Sequence, residues 1–363
     1  MASMQGLTLL FALLLVLLLA FLFTLLGSCV QSLSASAQTA QPAAADLAAY
    51  GGADRMEKLV AAAKKEGSVV VYSSAAMDDM AALIAAFEKK YGVKVRLWRA
   101  SSENIVQRAV VEARGGRFDA DVFETGATAM ESMQRERLFQ EIKTPALSAL
   151  LPAAILPHRE WIGTRFNIFV AAYNTGLIKD GLPKRYDDLL DRRWAGKLGV
   201  EAEDSDWFGA VVSALGEDKG LKLFRDIVAA NGISVRKGHT LLANLVVTGE
   251  VPLALTAYAY KAEQLRKSGA PIGWFVIPPG VARFEGAGVA RRASHPNAAI
   301  LFFEFMLTDG QDILLARDFF PARANARSLP EGALLHFLDP AKGLDEYAKW
   351  SKQYRDVVTN PTH

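Results

Sequence analysis

The side chains best suited to holding a small charged solute fall in five short stretches. Tyr72-Ser73-Ser74, Ser101-Ser102 and Glu124-Thr125-Gly126 each lie between a run that reads as a strand and one that reads as a helix. Hydroxyls beside the free N–H groups of a helix start suit an anion or a polar ligand, and equally they suit capping of the helix itself. Glu201-Ala202-Glu203-Asp204-Ser205-Asp206-Trp207 places four carboxylates within six residues. Such a cluster could meet a cation, with Trp207 covering an organic group. In the plainer alternative Asp206 caps a helix over 207–215 and Trp207 packs beneath it. Tyr258 and Tyr260 offer two phenols at another strand end, as ligand contacts or as residues of the core edge. The expected ligand-binding set is therefore Ser73, Ser74, Glu124, Thr125, Asp206, Trp207, Tyr258 and Tyr260. Arg165 or Arg283 would favour an anion, whereas the acidic cluster and the tyrosines would favour a cation or amine.

The parts needed for catalysis are missing. The only cysteine is Cys29, and neither G-x-S-x-G nor the phosphate-cradling G-x-x-x-x-G-K-[ST] occurs. The acidic pairs Asp187-Asp188 and Glu201/Glu203 have no neighbour that would tune one of them for acid–base work. His158, His239, His295, His336 and His363 are far apart and form no H-x-H or H-x-x-x-H pair, which argues against zinc. Nothing calls for a resident cofactor, and the reading is of a binding protein rather than an enzyme. A net charge of +2 lacks the basic stripe that nucleic acid requires.

Elements must position these residues. Arg55 to Lys65 reads as a short amphipathic helix ended by Gly67. Val69–Tyr72 is a continuous apolar run, as in a strand buried on both faces, and Met80, Leu83, Ile84, Phe87 and Tyr91 then fall at helical spacing. Val93–Trp98 followed by a helix with Ile105, Val106, Ala109 and Val110 inward repeats the unit. Asp119–Phe123 with a helix to about Arg137 repeats it again. Three strand–turn–helix units predict an α/β domain with ligand at the carboxyl ends of its strands. Trp161–Tyr173 is a long alternating strand, suited to passing between lobes. A second series runs through Lys197–Val200, Ile233–Val235 and Val251–Ala257. Gly273–Ile277 and Gly286–Ala290 are strands that could return to the first lobe, and Pro296–Leu307 and Asp312–Arg317 are helices.

The start of the chain is an address. Leu7 to Leu26 is apolar except for Thr8 and Thr24, and no charge occurs before Asp46. Ala35-Ser36-Ala37 fits a signal-peptidase site, and Leu26-Gly27-Ser28-Cys29 resembles a bacterial lipobox; a retained anchor is the third outcome. Cleavage at Ala37 gives a periplasmic protein, and lipidation of Cys29 a membrane-tethered one. The expected division is a signal peptide over 1–37 and a flexible tether over 38–54. Lobe 1 then takes 55–160 with about 278–320, and lobe 2 takes 161–277 with about 321–363.

Taken together, VVVYSS at 69–74, AFEKKYGVKV at 86–95, FDADVFETG at 118–126, AAYNTGLI at 171–178, DDLLDRRWAGKLGV at 187–200, GAPI at 269–272 and HPNAAILFFEFML at 295–307 resemble the family-1 solute-binding proteins of bacterial ABC importers. That group includes ferric-iron, thiamine and polyamine binders. The resemblance implies a type II periplasmic-binding-protein architecture, with two α/β lobes, each a mixed sheet flanked by helices, and a hinge of strand crossovers. It implies a monomer that traps a small-molecule ligand on closure and delivers it to an ABC permease in the inner membrane. Iron-binding members use a His and a Glu from the first lobe and two adjacent tyrosines from the second. Here the His position falls on Ala76, the Glu position on about Gly126, and the tyrosines are Tyr258 and Tyr260 with Ala259 between. Ferric iron is thus one alternative to a polar or charged solute, with Tyr258 and Tyr260 as its protein ligands. Sensing for a signalling system, or an enzyme on the same fold, are others.

Overall fold

The computed structural model describes residues 52–326 and 335–359. The expected signal peptide with Cys29 and Ala37, and all but the end of the expected tether, lie outside the described residues. Among those residues no helix is long and apolar enough to cross a membrane.

The first βαβ series forms as its pattern predicts. Helix α1 (Arg55–Glu66) leads into β1 (Ser68–Ser73), then α2 (Met77–Tyr91), β2 (Lys94–Arg99), α3 (Ser102–Arg114), β3 (Val122–Gly126) and α4 (Ala127–Arg135). Charge placement follows the helix dipole in α2, with Asp78 and Asp79 in its first turn and Lys89 and Lys90 in its last. Gly92 ends it in the left-handed region at φ 71°, a conformation without penalty for glycine. Strand β1 pairs in parallel with β2 and β3, burying Val69, Val71 and Tyr72.

Two long strands join this half to the next. Strand β4 (Ile162–Asn174) spans 13 residues and is buried on both faces rather than alternating. The second series is β5 (Leu198–Glu201), α5 (Ser205–Leu215), α6 (Glu217–Asn231), β6 (Ser234–Arg236), α7 (His239–Thr248), β7 (Leu253–Tyr258), α8 (Ala259–Lys267) and β8 (Ile272–Phe275). The other long strand, β9 (Gly280–Val289), runs antiparallel to both β3 and β4. The sheet order is β2-β1-β3-β9-β4-β7-β5-β6, so β9 and β4 are the crossovers between two parallel halves.

Helix α9 (Pro296–Leu307) is apolar all round and buried from Asn297 to Leu307, as a helix inside the first half must be. It packs on α1, and its Phe302 and Phe305 meet Phe87 edge-on. Then come α10 (Asp309–Ala316), β10 (Phe320–Pro321), β11 (Leu335–Phe337), α11 (Pro340–Asp345) and α12 (Tyr347–Tyr354).

Three expectations change. The third strand ends at Gly126 rather than Phe123, so Glu124 and Thr125 are strand residues paired with Ala287 and Gly286 of β9. The strand expected at 273–277 does not return to the first half; as β8 it pairs with β4 beside the second. The tail assigned to the second lobe from about 321 divides instead. β11 pairs with β9, α11 packs on α4 of the first half, and α12 packs on α5 of the second.

Candidate functional site

Three helix starts of the first lobe converge. Ser73 closes β1, accepts a hydrogen bond from the Ala75 N–H at 3.0 Å and donates to the Glu124 carboxylate. Thr125 Oγ1 lies 2.9 Å from Ser74 Oγ and 2.8 Å from Ser102 Oγ, tying together the entries to α2, α3 and α4. Of the two serines at the start of α3, Ser101 is the cap, accepting from the Asn104 N–H, and Ser102, the first helical residue, faces Thr125.

The floor is built by the crossovers. In the β4–β9 pairing Arg165 stands opposite Glu285, and Asn167 opposite Arg283. Residues two apart on a strand share a face, so the four side chains form two adjacent polar rungs. Arg165 forms a buried ion pair with Glu124, and Asn167 Nδ2 donates to Glu285 Oε1 at 2.9 Å. Gly126 joins the floor to the helix starts. A Cβ built there would lie 3.7 Å from Ser102 Oγ, 3.8 Å from Glu285 Oε2 and 3.9 Å from Arg283 Nε. Arg165 Nε, Asn167 Oδ1 and Arg283 Nε are buried and have no hydrogen-bond partner among the described residues.

The second lobe brings Tyr258 and Tyr260, whose rings lie 6.1 Å apart at 24°. Arg283 links Tyr258 to α5, since its Nη2 donates to the Tyr258 hydroxyl and its Nη1 to Asp206 Oδ2 at 2.7 Å. Asp206 Oδ1 also accepts from the Trp207 N–H at 2.7 Å. Tyr260 stacks on Phe319 at 3.9 Å. Beneath Tyr258 lies His239, with ring centroids 3.8 Å apart, and its Nε2 is 3.1 Å from both Asp204 carboxylate oxygens.

Burial and charge oppose each other here. Burial raises the pKa of both phenols, so Tyr258 and Tyr260 are neutral as they stand. Burial also raises Glu285, more than Arg165 and Arg283 can lower it. Glu201 rises for the same reason, with Asp204 adding to it. Burial disfavours charge on Arg283 and His239, but Asp206, Tyr258 and Glu285 together raise Arg283, and Asp204 with Glu201 raises His239.

Trp207 requires a correction. Its side chain is 1% exposed and packs on Tyr186 and Phe224 in the second core, so it covers no ligand. The helix begins at Ser205, and Trp207 lies on its buried face. The histidines are also less isolated than their spacing implied, because Glu201, Asp204 and His239 bring ligating atoms within 4.8 Å of one another. Both carboxylates are already committed, Glu201 to the Gly238 N–H and Asp204 to His239. Asn167, His239 and Glu285 were missed from sequence. Their signals were polar residues two apart in buried strands, and a histidine just past the carboxyl end of the 233–235 strand.

The chain matches, over residues 120–343, the family described as bacterial extracellular solute-binding protein. It is 26% identical over 312 residues to the Fe(3+)-binding periplasmic protein of Serratia marcescens, covering 82% of this chain and 91% of that protein. Its fold is that of the Trichodesmium protein (IdiA, FutA) solved with iron and citrate, at a TM-score of 0.64 and 22% identity over 80% of this chain and 99% of that one. It is also that of AfuA from Actinobacillus pleuropneumoniae with fructose-6-phosphate bound, at a TM-score of 0.71 and 19% identity over 81% and 99%. With a family match over more than half its length, the chain belongs to the bacterial extracellular solute-binding proteins.

Proposed function

We propose that this solute-binding protein captures a hydroxylated organic anion, such as a hydroxycarboxylate or a sugar phosphate, and passes it to an ABC permease. One observation carries the reading: three buried polar atoms at the crossover floor have no partner among the described residues, and two of them are arginine Nε–H donors. Buried polar groups are ordinarily satisfied, and an unmet donor costs about 1–3 kcal/mol. An acid group between Arg283, Gly126 and Ser102 would meet the donors and the helix N-termini. Asn167 Oδ1 and Glu285 would accept from its hydroxyls.

Ligands bound in two proteins of this fold fit the class, since the Trichodesmium protein was solved in complex with iron and citrate and AfuA with fructose-6-phosphate. Native mass spectrometry of the purified chain, with calorimetric titration of citrate and fructose-6-phosphate, tests it. An anion that co-purifies, or micromolar binding lost in Arg283→Ala, is expected. Binding of amines alone would overturn it.

Ferric iron carried with such an anion is the second reading, favoured by Tyr258 and Tyr260 as hard oxygen donors. The Tyr258 hydroxyl would have to leave Arg283 for the metal, which frees that arginine for the anion. Both phenols would lose protons on binding, so iron affinity should rise with pH. Metal analysis and a visible phenolate–iron band, absent in Tyr258→Phe, decide this. Release by cleavage at Ala37 or tethering through Cys29 both suit delivery to a permease, and the protein acts as a monomer in either form.

A further inference from the structure

We propose that His239 is a positioning residue, fixing the ring of Tyr258 and with it the second lobe's half of the ligand site. Imidazole and phenol lie face to face at 3.8 Å and 13°. Phe169 packs tilted against both rings, its centroid 5.3 Å from that of Tyr258 and 6.4 Å from that of His239. The imidazole is itself held, with Nε2 at 3.1 Å from each oxygen of the buried Asp204. Gly238, at φ 105°, delivers His239 to the head of α7, and its N–H is fastened to Glu201 Oε1 at 2.8 Å.

The hydroxyl end of Tyr258 is held independently. Arg283 Nη2 donates to it, and Arg283 Nη1 donates to Asp206. Asp204 and Asp206 are two residues apart at the start of α5, so one turn of chain secures both grips on Tyr258. Asp204 acts beneath the ring through His239, and Asp206 acts at the hydroxyl through Arg283. The acidic run at 201–206 thus reaches the ligand through Tyr258. Its carboxylates are spent on His239, Arg283, Lys237 and backbone N–H groups, which is why the run need not meet a cation itself.

The ring stack separates from the Asp204 bond in two variants: His239→Phe keeps a flat ring without the bond, and His239→Gln keeps a donor without the ring. The chain is labelled with 13C-tyrosine, and the Tyr258 resonances are identified by their loss in Tyr258→Phe. In His239→Phe these resonances should stay sharp and ring-current shifted, with citrate affinity within about twofold of wild type. In His239→Gln they should move and broaden, and citrate affinity should fall about three- to tenfold, the loss of one aromatic pair. Wild-type Tyr258 resonances or wild-type citrate affinity in His239→Gln would overturn the proposal, as would His239→Phe proving equally damaging. The binding comparison rests on the anion reading above; if the wild-type chain ignores citrate, that reading fails while the resonances still decide the role of His239.

Discussion

Glu124 shows how tightly individual residues are constrained at the cleft. It is fully buried, accepts from Ser73, and provides the counter-charge of Arg165, which is 4% exposed. Removing one partner of a buried pair leaves the other uncompensated, so Glu124→Gln should destabilise the chain by about 3 kcal/mol in denaturant unfolding. The double change Glu124→Gln with Arg165→Met should recover much of that loss. Glu285 makes the opposite case. Burial raises its pKa in the folded state, so the folded chain holds this proton at pH values where the unfolded chain has lost it. Its contribution to stability is therefore greatest below the ordinary carboxylate range and falls as pH rises through the raised value. Glu285→Gln keeps the Asn167 hydrogen bond and should stabilise the unliganded chain by about 1 kcal/mol at neutral pH. The gain should vanish at about pH 4; equal gains at both pH values in thermal unfolding would refute the assignment. Most of the first-lobe contacts were legible in sequence, because serines after a buried strand announce themselves. Asn167 and Glu285 were not, since each lies in the middle of a strand and its partner is more than a hundred residues away.

Elements decide what such residues touch, and helix α5 is the clearest instance. Its N-cap Asp204 holds His239 and its first-turn Asp206 holds Arg283, and its buried face carries Trp207, Phe208, Val211 and Val212. Gly209 lets α12 lie directly on it, for a Cβ there would stand 2.6 Å from Trp350 Cγ. Two effects compete in Gly209→Ala. Helix propensity favours alanine by about 1 kcal/mol. Overpacking costs about 1–3 kcal/mol when the neighbour cannot yield. Trp350 is buried and its Nε1 donates to Glu346 Oε2 at 2.8 Å, so it is pinned and the clash should dominate. Gly209→Ala should therefore lower the melting temperature, whereas a neutral or stabilised variant would mean that α12 lifts freely from α5. The periodicity of α5 was readable in advance, but its start was set two residues late. Of the two readings of Trp207, as a cover for the ligand or as packing beneath the helix, the structure has the second. Helix α12 was invisible as a partner because no sequence pattern says which helix a distant glycine admits.

At the scale of the whole molecule, the tail joins what the cleft divides. The second half ends in β8, yet the chain returns through β9, covers the first half with α9, and then crosses over again. Helix α11 packs on α4 of the first half, with Arg135 Nη1 2.5 Å from Asp345 Oδ1, and α12 packs on α5, with Ser351 Oγ 3.2 Å from Ser205 Oγ. Only Glu346 separates the two helices. A separation of the lobes must therefore release α11 from α4, peel α12 from α5, or bend the chain at that one residue. The first is the least costly, since the α4–α11 ion pair is solvent-exposed and such pairs hold weakly, whereas α12 buries Trp350 and Tyr354. Ligand shifts the open–closed balance only through contacts that the closed form has and the open form lacks. A bond that keeps α11 on α4 should then hold the chain closed. Thr128 and Gly343 face each other there, with Thr128 Oγ1 3.4 Å from a Cβ built on Gly343. Cys29 is the only native cysteine, so Thr128→Cys with Gly343→Cys in a Cys29→Ala background offers a single pairing. Oxidation should shrink the radius of gyration of the unliganded protein in X-ray scattering and slow ligand dissociation, and a reductant should reverse both. If the oxidised protein opens and releases ligand like the reduced one, α11 moves with the first half, and opening takes place by bending at Glu346 or by loss of α12.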